Sequence, residues 1–240
     1  MTVTSTKAEL ASAAKSFIDC VEPATRRPLG KVRIDTPEDV KVAIDRARAA
    51  QVAWRASSFE TRRRVLSRML SHVVDHAEEL CEMVCRVSGK TRENAMMGEI
   101  WPISEKLRWT IANGEKHLSP ETVSSGVLAH KKARLEFHPL GVVGAIVPWN
   151  FPLIMAAWKI GPVLAAGNTV VLKPSEKSPL TAIRIAALAV EAGIPEGVFN
   201  VVPGFGHTAG KALASSMDVD CIAFTGSTAT GKRVMEYAAQ

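Results

Sequence analysis

The 240 residues, 47% apolar and 22% charged, suit one large or two small folded units and leave no room for a collagen-like, low-complexity or disordered chain. The net charge of +6 permits contact with nucleic acid or acidic lipid. However, only 5% of residues are aromatic, and they do not interleave with the basic run Arg62-Arg63-Arg64 and Arg68, so a solvated helix face accounts for that run and no nucleic-acid partner is expected.

The opening stretch MTVTSTKAELASAAKSF has no charged start followed by an apolar run, so no secretory leader is expected. Residues 1–35 are otherwise mixed, with a turn-like ProAlaThrArgArgPro stretch at 23–28. Thr36-Pro37-Glu38-Asp39 reads as a helix start: a cap, a proline in the first turn, then acids at the positive end of the dipole. Val40, Ile44, Ala47 and Trp54 then share one face. A second helix is predicted from about Thr61 to Val87, with Val65, Leu66, Met69, Val73, Ala77, Leu80 and Val84 as its stripe and Gly89 as its stop. A third, over about 92–117, contains Pro102 and should kink or break there.

Residues 119–132 are polar, and Ala133 to His138 alternates like a strand. From Gly141 onward, strands and helices alternate. The predicted strands are Val142–Val147, Thr169–Leu172, Val198–Val202 and Cys221–Phe224. The predicted helices are Leu153–Leu164, one capped by Ser178-Pro179 with the stripe Leu180, Ile183, Ala187 and Val190, a short one near His207–Ser215, and a last one after Gly226–Gly231. This order predicts an α/β fold, a Rossmann-like parallel sheet with flanking helices, preceded by a helical segment. Pro139 to Trp158 is long and uncharged, but Pro148, Asn150 and Pro152 interrupt it, so no membrane span is expected and a cytoplasmic protein is the expectation.

Several loops after strands carry groups able to bind or react. Gly226-Ser227-Thr228-Ala229-Thr230-Gly231 opens a helix, where free backbone N–H groups can hold a phosphate; the alternative is a tight strand–helix turn. With Lys232 the string is most of a Walker A loop, but Arg233 stands where that loop needs a Ser or Thr for Mg²⁺. Lys173-Pro174-Ser175-Glu176 puts a carboxylate where ribose hydroxyls bind in such sheets, or forms a plain surface turn. Pro148-Trp149-Asn150-Phe151-Pro152 holds an amide that could donate to an oxyanion, or that simply caps a helix. His72, His76, Cys81 and Cys85 have paired i, i+4 spacings, but the His pair and the Cys pair do not share a face, so no metal is expected. Four scattered cysteines, Cys20, Cys81, Cys85 and Cys221, do not make a disulfide scaffold.

Taken in order, GVVGAIVPWNFPLIMAAWKIGPVLAAGNTVVLKPSE, GIPEGVFNVVPGFG and IAFTGSTATGK resemble the NAD(P)-dependent aldehyde dehydrogenase superfamily, from about residue 20 onward. The resemblance implies NAD as cofactor and assigns Asn150 to an oxyanion hole. It places Ile146 and Trp149 on the nicotinamide side of the cofactor groove, Lys173 and Glu176 on the adenosine ribose, Gly206 by the adenine, and Gly226 and Ser227 at the pyrophosphate. It sets Met155, Trp158 and Lys159 along the substrate tunnel. It divides the chain into a helical part of the cofactor-binding domain (1–119), part of an oligomerisation arm (120–139) and an NAD-binding core (140–240). The family's Glu base and Cys nucleophile have no counterparts here, so the expectation is a truncated enzyme chain; a non-catalytic NAD-binding remnant and, further off, a P-loop phosphate-binding protein are the alternatives. The implied partners are an aldehyde, with aminoaldehydes the nearest substrate class, and further copies of the intact chain.

Overall fold

The computed structural model describes residues 17–128 and 130–239; apart from Phe17, the stretch read for a leader lies outside them. β1 (Phe17–Val21) and β2 (Pro28–Arg33) form an antiparallel hairpin that the sequence reading left as mixed chain. Its turn contains Arg26 at φ +63, a left-handed position without the usual Gly or Asn signal. α1 (Pro37–Ala56) starts as expected, with Thr36 and Asp39 closing a reciprocal capping box, and it buries Val40, Ile44, Ala47 and Trp54.

The long second helix is two. α2 (Phe59–Asp75) ends at His76, which leaves helical geometry (φ −103, ψ 18) while its ring Nδ1 contacts the His72 carbonyl at 2.9 Å. α3 (Ala77–Ser88) then restarts and stops at Gly89, whose φ of +74 is open to glycine. The third helix changes register just before Pro102. α4 (Arg92–Ala95) runs without a break into a π turn (Met96–Ile100) and then into α5 (Trp101–Leu118), so Pro102, which lacks an N–H for the helical ladder, directly follows the wider turn. The strand expected over 133–138 is shorter: β4 (Ala133–Leu135) pairs with an unforeseen β3 (Glu121–Val123).

The remaining chain gives β5 (Val142–Ile146), α6 (Pro152–Ala165), β6 (Thr169–Lys173), α7 (Pro179–Glu191), β7 (Phe199–Val201), a π turn (Gly206–Gly210) running into α8 (Lys211–Ala214), β8 (Cys221–Phe224) and α9 (Thr228–Ala238). The four strands form one parallel sheet in the order β7-β6-β5-β8. Side chains alternate between its faces. Val142, Val171 and Val202 meet α1 and α8, while Ala145, Val170 and Leu172 meet α6, α7 and the helices before them. Helices on both faces bury β6 throughout, as parallel sheets require.

Two local expectations need correction. Ser178 stands at the start of α7, but its hydroxyl makes no capping bond and is buried without a partner. The buried face of α7 is Thr181, Ala182, Ile185, Leu188 and Ala189, so Ile183, Ala187 and Val190 point outward. Apolar residues lie on most sides of this helix, and its contacts with α2, α3, α6 and β7 decide which of them are inside.

Candidate functional site

Because the sheet is parallel, Ile146, Lys173, Val201 and Phe224 end at one edge, and the loops after them share it. Ligands bind at this edge in open α/β sheets. A cleft of about 290 Å³ lies there, lined by Ile146, Glu176, Gly206 and, from α9, Thr230, Arg233 and Tyr237. Three of the residues singled out for a cofactor therefore share one cleft. A Cβ on Gly206 would meet nothing within 4 Å, so its backbone borders open space.

Lys173 reaches the same place from below. Its Cδ packs beside Gly210, and its Nζ lies 3.4 Å from Glu176 Oε2. The residue is 3% exposed, and burial pushes its ammonium below the ordinary lysine range, with Glu176 opposing that shift. Between the lowered folded value and the unfolded 10.5, the unfolded chain binds more protons than the folded one, so stability should rise with pH across that window. Lys173→Met should flatten the rise. Chemical melts at a series of alkaline pH values check this; an unchanged pH slope in the variant would remove Lys173 as its source.

The Gly226–Lys232 string does not form a phosphate-wrapping loop. α9 already begins at Thr228, so Gly231 and Lys232 lie inside the helix, whereas a Walker A loop reaches its helix only at the Gly-Lys pair. Ser227 is the cap: its Oγ accepts the Thr230 N–H at 3.2 Å, and the Thr228 and Ala229 N–H groups have no partner among the described residues. Gly226 has a packing reason, since a Cβ there would lie 2.5 Å from the Phe224 ring.

Asn150 and Trp149 stand outside the cleft, on the loop between β5 and α6, and both are exposed. Asn150 Oδ1 accepts the Phe151 N–H at 3.1 Å, which leaves its two Nδ2 hydrogens without a partner among the described residues. Lys177 Nζ sits 5.0 Å from the Trp149 ring centre. Met155, Trp158 and Lys159 share one face of α6 by their i, i+3, i+4 spacing. Trp158 donates to the Pro102 carbonyl at 3.3 Å, and half-buried Lys159 donates to Thr225 Oγ1 at 2.8 Å, its amine lowered by burial.

The sequence reading missed the α9 wall of the cleft. Its signal was present: Thr230, Arg233, Val234 and Tyr237 repeat at i, i+3, i+4, i+7. It also missed Glu99, a buried carboxylate that caps the start of α6. Among the described residues, no three His, Cys, Asp or Glu side chains gather as for a metal, and no helix is long and apolar enough to cross a membrane.

A parallel sheet with a small-residue helix start and an acidic group at its carboxyl edge defines the class of dinucleotide-binding α/β folds. The comparisons narrow this. The family model described as "Aldehyde dehydrogenase family" matches residues 10–240, and the chain belongs to that family. It is 43% identical over 230 residues to the NADP/NAD-dependent aldehyde dehydrogenase PuuC of Escherichia coli (strain K12), covering 95% of this chain and 46% of that protein. It is 42% identical over 219 residues to aldehyde dehydrogenase 1A1 of Homo sapiens, covering 90% and 43%. Among solved structures it is similar to the P. syringae indole-3-acetaldehyde dehydrogenase AldA in complex with NAD⁺ and IAA, with a TM-score of 0.89 and 44% identity over 95% of this chain and 46% of that one. The chain spans about half the length of the curated relatives it matches.

Proposed function

We propose that residues 1–240 are the cofactor-binding part of an enzyme that oxidises an aldehyde to a carboxylic acid with NAD. The observation that carries this is the cleft at the carboxyl edge of the sheet, where Ile146, Glu176 and Gly206 meet the start of α9. The groups at this edge suit a dinucleotide: the N–H groups of Thr228 and Ala229, just ahead of the lining residue Thr230, for phosphate oxygens, and the Glu176 carboxylate as acceptor for a pair of ribose hydroxyls. Lys173 supports Glu176 from beneath.

Bound nicotinamide would accept the electron pair and the hydrogen that leave the aldehyde carbon. The chain's own share is binding and polarisation. In this reading Ile146 borders the nicotinamide end of the groove, with Trp149 on the adjoining loop outside the cleft, Gly206 borders the adenine end, and Gly226 with Ser227 meets the pyrophosphate. Asn150 offers its free Nδ2 hydrogens to the oxygen of a carbonyl under attack, where charge builds up. Met155, Trp158 and Lys159 form the wall along which the substrate approaches. The same reading includes the division at 119/120 and 139/140, a cytoplasmic location, aminoaldehydes as the substrate class and a homo-oligomeric intact protein.

Glu176 gives the test. Its charge should repel a 2′-phosphate and hold free ribose hydroxyls. Calorimetric titration should show NAD bound more tightly than NADP, and Glu176→Thr should reduce that preference by about tenfold, roughly one strong charged hydrogen bond. Equal relative affinities in the two proteins would remove Glu176 from the cofactor site.

A further inference from the structure

The loop bearing Asn150 leads into a helix that cannot cap itself. α6 starts with Pro152, and the residue before it, Phe151, has no side-chain acceptor. The N–H groups of Leu153 and Ile154 would be buried orphans. Glu99, more than fifty residues earlier, fills the gap. Its Oε2 accepts from Leu153 at 2.8 Å and from Ile154 at 3.1 Å, and the residue is 0% exposed.

Glu99 reaches this position because it lies in the π turn between α4 and α5. Such a turn holds one residue more than a helical turn and redirects a side chain. The other carboxylate oxygen binds Lys90 Nζ, which follows the Gly89 stop of α3. That same ammonium lies 3.8 Å from the centre of the Phe151 ring, and Gly98, beside Glu99, leaves room for the ring edge. Phe151 in turn donates its N–H to Asn150 Oδ1. An unbroken series of contacts thus runs from Lys90 and Glu99 through Phe151 to the Asn150 amide. A buried charge pair of this kind is weak evidence for stability, since desolvation offsets the attraction. It does fix geometry, because each partner is bound on two sides.

The geometry points to Lys90 and Glu99 as positioning residues that set the orientation of the Asn150 amide. This rests on the role proposed above for Asn150, but its test does not require that role. Nitrogen-15 NMR of the full 240-residue chain is recorded for the native protein and for Glu99→Gln, Lys90→Met and Lys90→Arg. In Glu99→Gln and Lys90→Met, the Asn150 side-chain amide signal should shift, and the Leu153 and Ile154 amides should exchange about tenfold faster while β6 and α7 keep their protection. Lys90→Arg, which retains the charge, should restore most of the native Asn150 signal.

An unmoved Asn150 signal in a folded Lys90→Met chain would overturn the proposal. So would loss of protection throughout β6 and α7 in both Glu99→Gln and Lys90→Met, because the pair would then be a general support of the fold. Titrating NAD into the same samples separates the two ideas. A native chain that ignores NAD while its Asn150 signal responds to Lys90 would sink the dehydrogenase reading and leave the positioning role intact.

Discussion

A purified 240-residue chain mixed with NAD and an aldehyde should form no NADH above the buffer rate. Oxidation by a covalent route needs a thiolate within reach of the Asn150 amide. Cys20 and Cys81 are buried, and burial raises both thiols away from the reactive form. Cys81 is further engaged with the Arg92 carbonyl at 3.3 Å. Cys85 lies on α3, and Cys221 opens β8 at the amino end of the strand, about 10 Å along it from the edge that carries the site. Removing an acting nucleophile costs many orders of magnitude in rate, so the expected activity is nil rather than reduced. A spectrophotometric assay at 340 nm decides this. Steady NADH formation that disappears on Cys→Ala substitution at any one of the four positions would refute it.

The second large effect is on association. β8 is an outer strand of the sheet, each of its residues is only half-buried, and α9, which follows it, buries none of its side chains. Beside the site, Met97, Trp101, Trp149, Phe151 and Trp158 are all exposed. Free strand edges and broad apolar patches both drive chains together. The isolated chain should therefore associate reversibly into small oligomers as its concentration rises. Light scattering during dilution, with Trp101→Lys combined with Trp158→Glu as a comparison, checks this. The substituted chain should be more nearly monomeric. A monodisperse native monomer that melts cooperatively would show that this surface needs no cover.

The regular half of the fold was legible because residues 141–224 alternate short apolar strands with helices, a pattern that few architectures accommodate. The early helices were legible through their stripes: Val40, Ile44 and Ala47 on α1, and Val65, Leu66, Met69 and Val73 on α2, are all buried where the spacing put them. Local geometry was harder. The break at His76, where the ring nitrogen meets the His72 carbonyl, leaves no trace in hydrophobic periodicity. The β1–β2 turn lacks Gly or Asn, and β3 is exposed at every position, so neither hairpin announces itself. On α7 the apolar residues run nearly all round, and only packing against α2, α3, α6 and β7 decides which are inside.

The site shows the same division. Loops at the ends of parallel strands fall at one edge by topology, which was enough to place Glu176 there; Ile146 and Gly206 were grouped with it only through the family resemblance. Glu99 could not, because its role depends on a π turn bringing it to a helix start 54 residues away.

The most direct measurement is nitrogen-15 NMR of the native chain during NAD addition. Saturable shifts should appear at Ile146, Glu176, Gly206, Thr228 and Thr230, and the same signals should respond less to NADP at equal concentration. Absence of saturable NAD binding, or shifts confined to residues away from this cleft, would contradict a dinucleotide site at the carboxyl edge of the sheet.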